Sequence, residues 1–138
     1  MSHTLSSDLF QEVRLNGASA SEAVISAAIA GHHGVPVILF AGDDVAVEEA
    51  GRDLPAVPGV VLKHACGTYS ARHLSPHETD QRLRDAVRGA LAVVGAARPL
   101  RLAGPISCEI RLRTRLVAEW LAYLAHVERL DAFTARYP

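Results

Sequence analysis

Asp43 and Asp44 follow Gly42 at the end of the apolar run from Val35 to Ala41. Ligands gather at the carboxyl ends of parallel strands, so this pair of carboxylates could hold a metal or a substrate cation. Aspartate is also a preferred helix N-cap, and capping with turn formation explains both residues without chemistry. Seven histidines could supply zinc donors, but His32 and His33 are adjacent instead of four apart on a helix, and no HExxH occurs. Flanked by Gly31 and Gly34, the two imidazoles suit the negative end of a helix dipole. Cys66 stands near His64 and His73, the residue types of a thiol nucleophile and its base. Reactivity would also demand an electropositive, accessible setting, and an inert thiol is the plainer reading. Glu22 has two competing readings. Three residues after Ser19 it can close a capping box, and it could instead face a cleft as an oxygen ligand; spacing alone favours the cap. His3, close to a chain terminus, carries no argument by itself. The motifs GxGxxG, GxxxxGK[ST] and GxSxG are absent, which removes phosphate-cradle and nucleophile-elbow chemistry.

The elements that would position these residues are marked by punctuation. A first helix is expected over 22–30, with Ser19 and Glu22 at its start and Gly31 as its stop. The continuous apolar run 35–41 reads as a buried parallel strand. Gly42-Asp43-Asp44 then caps a second helix, about 45–54, and 60–62 forms the next strand, which makes a βαβ crossover the economical arrangement. A polar loop is expected from Cys66 to His73. Ser75-Pro76-His77-Glu78 opens a third helix with a capping serine and a proline at its first position, running to about Val94. Beyond Arg98-Pro99 the period changes: Ile106, Cys108, Ile110 and Leu112 alternate with Ser107, Glu109, Arg111 and Arg113, as in a strand with one wet face. A fourth helix, 116–125, carries Trp120, and 127–130 and 133–137 could be short strands. The fold class expected is α/β, a partial doubly wound sheet with helices on its faces followed by a smaller α+β segment. The boundary is placed between residues 1–97, an α/β half-domain, and 98–138, the α+β segment.

Composition excludes several classes. In 138 residues, 49% hydrophobic and 21% charged, there is material for one folded domain without disulfide or metal staples. Fourteen Lys and Arg against fifteen Asp and Glu leave a formal charge of −1, so no polyanion track is indicated and a nucleic-acid partner is not expected. Two cysteines without CxxC spacing make no disulfide framework, which fits a reducing cytoplasm. No basic-then-apolar leader opens the chain, and no apolar stretch reaches the about 18 residues of a membrane span, so neither secretion nor a membrane is expected.

The blocks Met1-Ser2-His3-Thr4, Asn16-Gly17, Glu22, Ala28-Ile29-Ala30-Gly31-His32-His33-Gly34-Val35-Pro36-Val37, Gly42-Asp43-Asp44 and Ser70-Ala71-Arg72-His73-Leu74-Ser75-Pro76 occur in one order. In this order they resemble the zinc-dependent D-aminopeptidases of the bacterial dipeptide-transport-operon type, over nearly the whole chain and most strongly from Asn16 to Pro76. The resemblance implies hydrolysis of N-terminal D-amino acids from short peptides at a two-zinc site in a ring-based homo-oligomer. It places Glu22 at the family's glutamate zinc ligand and His3 at its catalytic histidine, which reverses the weighting given by spacing. Paired zinc ions can polarise a peptide carbonyl and generate hydroxide near neutral pH, with a histidine handling a proton.

The departures are as informative. The family's remaining zinc ligands, an Asp-x-Glu and two histidines, precede the segment matched here, and its last helix follows it. Ser21 and Ser26 stand where the family commonly has Gly and Asn. One glutamate cannot hold two zinc ions. The expectation is therefore a carboxyl-terminal part of such an enzyme, inactive alone, with a polypeptide carrying the amino-terminal half as partner. The alternative is a non-catalytic remnant or oligomerisation module of the same fold.

Overall fold

The computed structural model describes residues 5–138. In chain order the elements are β1 (Phe10–Leu15), β2 (Ala18–Ser19), α1 (Glu22–His32), β3 (Phe40–Asp43), α2 (Asp44–Asp53) and β4 (Gly59–Gly67). They continue with β5 (Ser70–His73), α3 (Pro76–Ala92), β6 (Cys108–Leu112), α4 (Arg115–Leu121), β7 (Glu128–Arg129) and β8 (Thr134–Tyr137). The fold is α/β, as expected, with four α-helices and two sheets among the described residues. These sort into two compact units, one built from residues up to Glu22 together with 102–138, the other from 23–101.

The 23–101 unit holds the parallel pair. β3 runs parallel to β4, and α2 makes the crossover between them. The Asp43 side chain caps α2 by accepting from the Ala46 N–H at 2.8 Å, the role that its position after the strand implies. Ser75 caps α3 in the same way, accepting from Glu78 N–H at 3.2 Å with Pro76 in the first turn. Close approach depends on two glycines. A Cβ on Gly59 would lie 2.6 Å from Val47 Cγ1, and one on Gly31 only 1.7 Å from the Leu100 carbonyl oxygen, so α2 and α1 seat against backbone that only glycine admits.

Three expectations for this unit need correction. The strand expected over 35–41 begins only at Phe40, because β4 starts opposite it at Gly59 and, among the described residues, no strand pairs with 35–39. Val35 is 55% exposed. The polar loop expected from Cys66 to His73 contains β5, which pairs antiparallel with β4 through Lys63↔His73, His64↔Arg72 and Ala65↔Ala71. The first helix does not stop at Gly31: it runs to His32, and Gly34, at φ +77°, ends it, with the Val35 N–H bonded to the Ala30 carbonyl.

The other unit is an antiparallel sheet in the order β2-β1-β6-β8-β7. The alternation read between Ile106 and Arg113 is the strand β6, which pairs with β1 on one side and β8 on the other. Leu112, on its inward face, is completely buried. β1 was not foreseen. It joins β2 through a two-residue turn, Asn16 at φ 51° and Gly17 at φ +79°, the left-handed pair that suits a tight hairpin. The Asn16 side chain ties that turn to the far segment, donating to the Ala103 carbonyl at 2.8 Å and accepting from Ser107 N–H at 2.8 Å.

Candidate functional site

Glu22 is the first residue of α1 and is half-buried; it is preceded by the buried Ala20 and Ser21. An acidic side chain in the first turn complements the helix dipole. The capping box expected with Ser19 does not form as such, because Ser19 belongs to β2, opposite Arg14, and its side chain bonds Glu12. With Glu22 at the first helical position, not the third, its carboxylate is out of register for the reciprocal bond. Spacing had favoured the cap; the geometry withdraws that explanation and leaves Glu22 as a half-buried carboxylate without a capping assignment. His3 lies outside the described residues.

At the carboxyl ends of β3 and β4 the structure gathers a second group. Asp43 is consumed by the α2 cap. Asp44 Oδ1 accepts from Ala65 N–H at 2.9 Å and Val45 N–H at 3.1 Å, and its Oδ2 faces His64 Nδ1 at 3.0 Å. The Ala65 N–H, then the His64 bond, hold the Asp44 carboxyl below its ordinary range. An ionised carboxylate can only accept, so His64 Nδ1 is the donor in this pair. Asp44 thus clamps the start of α2 to the end of β4. Cys66 is exposed, and its Sγ lies 3.6 Å from the His64 carbonyl oxygen. His32 and His33 stand at the end of α1 with their rings edge to face, 5.1 Å apart.

In the antiparallel unit the wet sheet face forms a cavity of about 190 Å³ lined by Glu12, Arg14, Glu109, Arg111, Asp131 and Thr134. Its charges are mutually paired. Arg14 meets Glu12 at 3.0 Å, and Arg136 lies 3.7 Å from Glu109 and 2.7 Å from Glu128. Asp131 is held below its usual range by Phe133 N–H, at 2.6 Å, and then by the Thr134 hydroxyl, at 3.0 Å, so it is spent on the turn between β7 and β8. The arrangement rigidifies a hairpin; it presents no nucleophile with its base.

Sequence reasoning missed the His64 partnership and this ion-paired face. The signal for the first was faint, a histidine twenty residues after Asp44; for the second it was the alternation of Glu and Arg along 109–113, read as solvated. Among the described residues, no three His, Cys, Asp or Glu side chains converge as metal ligands. The described residues therefore do not furnish a zinc site by themselves.

Comparison with known proteins supplies the frame. The model of a peptidase family described as D-aminopeptidase, M55, matches residues 1–138. The D-aminopeptidase of Bacillus subtilis (strain 168) is 30% identical over 86 residues, 62% of this chain and 31% of the relative. The solved structure of the zinc-dependent D-aminopeptidase DppA from Bacillus subtilis, described as a self-compartmentalizing protease, superposes with a TM-score of 0.88 at 25% identity. That match covers 94% of this chain and 47% of DppA, so the chain spans about half the length of the solved relative. With the family model covering it from end to end and the fold reproduced, the chain belongs to the D-aminopeptidase family.

Proposed function

We propose that this chain is part of a zinc-dependent D-aminopeptidase that removes N-terminal D-amino acids from short peptides, contributing Glu22 as a metal ligand and His3 as the catalytic histidine. The observation that carries the reading is the family match along all 138 residues. Glu22 fits the ligand role in being half-buried in the first turn of α1, where a rigid helix start would hold a carboxylate oxygen in place. The other donors lie beyond the described residues, and a polypeptide carrying the remaining half of the fold is the partner that would bring them. Two free cysteines suit the reducing cytoplasm as its location. Self-association of this chain is part of the reading, supported by the self-compartmentalizing character of DppA.

The test is zinc content and release of D-alanine from D-alanyl peptides. Alone, the chain should hold less than a full pair of zinc ions and show no turnover. Mixed with the part of the Bacillus subtilis enzyme that it does not match, it should gain both, and Glu22→Ala should abolish the gain. Two tightly held zinc ions with turnover by the chain alone would overturn the partial-site reading. A mixture that gains neither zinc nor hydrolysis would favour the alternative, a non-catalytic remnant or oligomerisation module of the same fold, which the lack of three converging donors among the described residues also suits.

A further inference from the structure

α1 is apolar around its whole circumference. Between Glu22 and His32 its one polar residue is Ser26, yet only the small Ala27 and Gly31 are buried, and Ile29 is 60% exposed. A helix without a polar side is ordinarily covered. The chain turns at Gly34 and runs directly into 35–41, a continuous apolar run of the kind that parallel sheets bury on both faces. The strand part of that run, β3, is paired on one side only: in the order β3-β4-β5 it is an edge among the described residues. Phe40 N–H bonds the Pro58 carbonyl at 3.0 Å, on the β4 side, so backbone alternation turns the N–H and carbonyl of Ala41 to the open edge. We propose that α1 and this edge of β3 dock one partner, the polypeptide carrying the remaining part of the D-aminopeptidase fold, which lays an apolar strand parallel to β3 and packs on α1.

Three observations choose this occupant over a second copy. The chain matches 47% of the solved relative on which it superposes, so a complementing part of the same fold exists in that architecture. The composition is that of a core cut in two: Ala, Val, Ile and Leu almost without charge suit a permanent interface, not one that opens and closes. And α1 begins with Glu22, so a partner that brings the other zinc donors has to reach the start of this helix. A bare apolar strand edge is moreover a template for aggregation, which a permanent neighbour removes. The inference rests on the partial-enzyme reading above and names the surface through which the complementing part is held.

The experiment co-expresses the full chain with the part of the Bacillus subtilis enzyme that it does not match, and follows amide hydrogen exchange in the purified pair and in the chain alone. Peptides covering 23–32 and 37–41 should exchange about tenfold or more slowly in the pair, with α3 unchanged. Ile29→Asp, at a position exposed in the chain alone, should weaken pairing about tenfold or more. Ala41→Pro should do the same while the chain alone keeps the parent's exchange in β4, because a proline is tolerated where the N–H it removes faces outward. Ala41→Gly keeps that N–H and should pair as the parent does. Pairing with zinc uptake and turnover that leaves 23–32 and 37–41 unprotected overturns this surface but not the enzyme reading. Protection there without zinc or turnover upholds the surface and overturns that reading. No pairing overturns the surface, as does equal protection in the chain alone with a sedimentation coefficient that rises with concentration, which assigns the face to a second copy.

Discussion

The two units of this protein are held together differently. The antiparallel unit is assembled from segments about ninety residues apart, with β6 gripped between β1 and β8 and one large side chain, Leu112, wholly buried beneath them. The 23–101 unit is contiguous, and its buried hydrophobic residues are Ala27, Ala46, Ala50, Ala90 and Leu54. Small side chains bury little area, so this unit relies on close backbone approach at Gly31 and Gly59, on caps, and on the Asp44 clamp. One unit depends on a side chain that fills space, the other on side chains that are not there.

That contrast can be broken at its strongest point with Leu112→Ala. Removing a fully buried leucine should cost about 3–4 kcal/mol, read by denaturant unfolding, with hydrogen exchange accelerating first in β1, β6 and β8. Equal acceleration throughout 23–101 would show that the units do not differ in this way. Gly31→Ala attacks the other unit. Its new methyl would overlap the Leu100 carbonyl, a backbone atom that cannot swing aside, and should cost about 1–3 kcal/mol, with exchange rising in α1. A neutral result would mean that the alanine-rich unit has slack.

The smallest effect sharpens the comparison through pH. The carboxyl of Asp44 is shifted down in the folded state, so the stability it contributes is present above its ordinary value and is lost as pH falls through the lowered one. Asp44→Asn should therefore lower the melting temperature at neutral pH and flatten the acid limb of the melting profile. Raising its stability relative to the parent at neutral pH would remove the clamp from the account.

Local signals were legible wherever one stretch of chain settles its own conformation. The Asp43 cap, the Ser75-Pro76-Glu78 helix start and the alternating strand ending at Leu112 each appear as read. Failures fall where a distant partner decides. The run 35–39 has strand composition but no strand opposite it among the described residues, and part of the Cys66 to His73 stretch becomes β5 because β4 extends far enough to pair with it. β1 was passed over although Asn16-Gly17 is a strong hairpin signal, since its main neighbour, β6, lies about a hundred residues away. For the candidate site, Glu22 emerged only through the family resemblance. Spacing assigned it to a capping box that the hairpin pre-empts by drawing Ser19 into a strand.

By itself the sequence determined the helix starts, the wet and dry faces of β6 and the family, because caps, alternation and ordered motif blocks are properties of neighbouring residues. Only the tertiary structure decided which strands pair and that Asp44 and His64 meet. Those depend on segments being brought together across the chain, a choice made by packing and hydrogen-bond satisfaction over the whole unit.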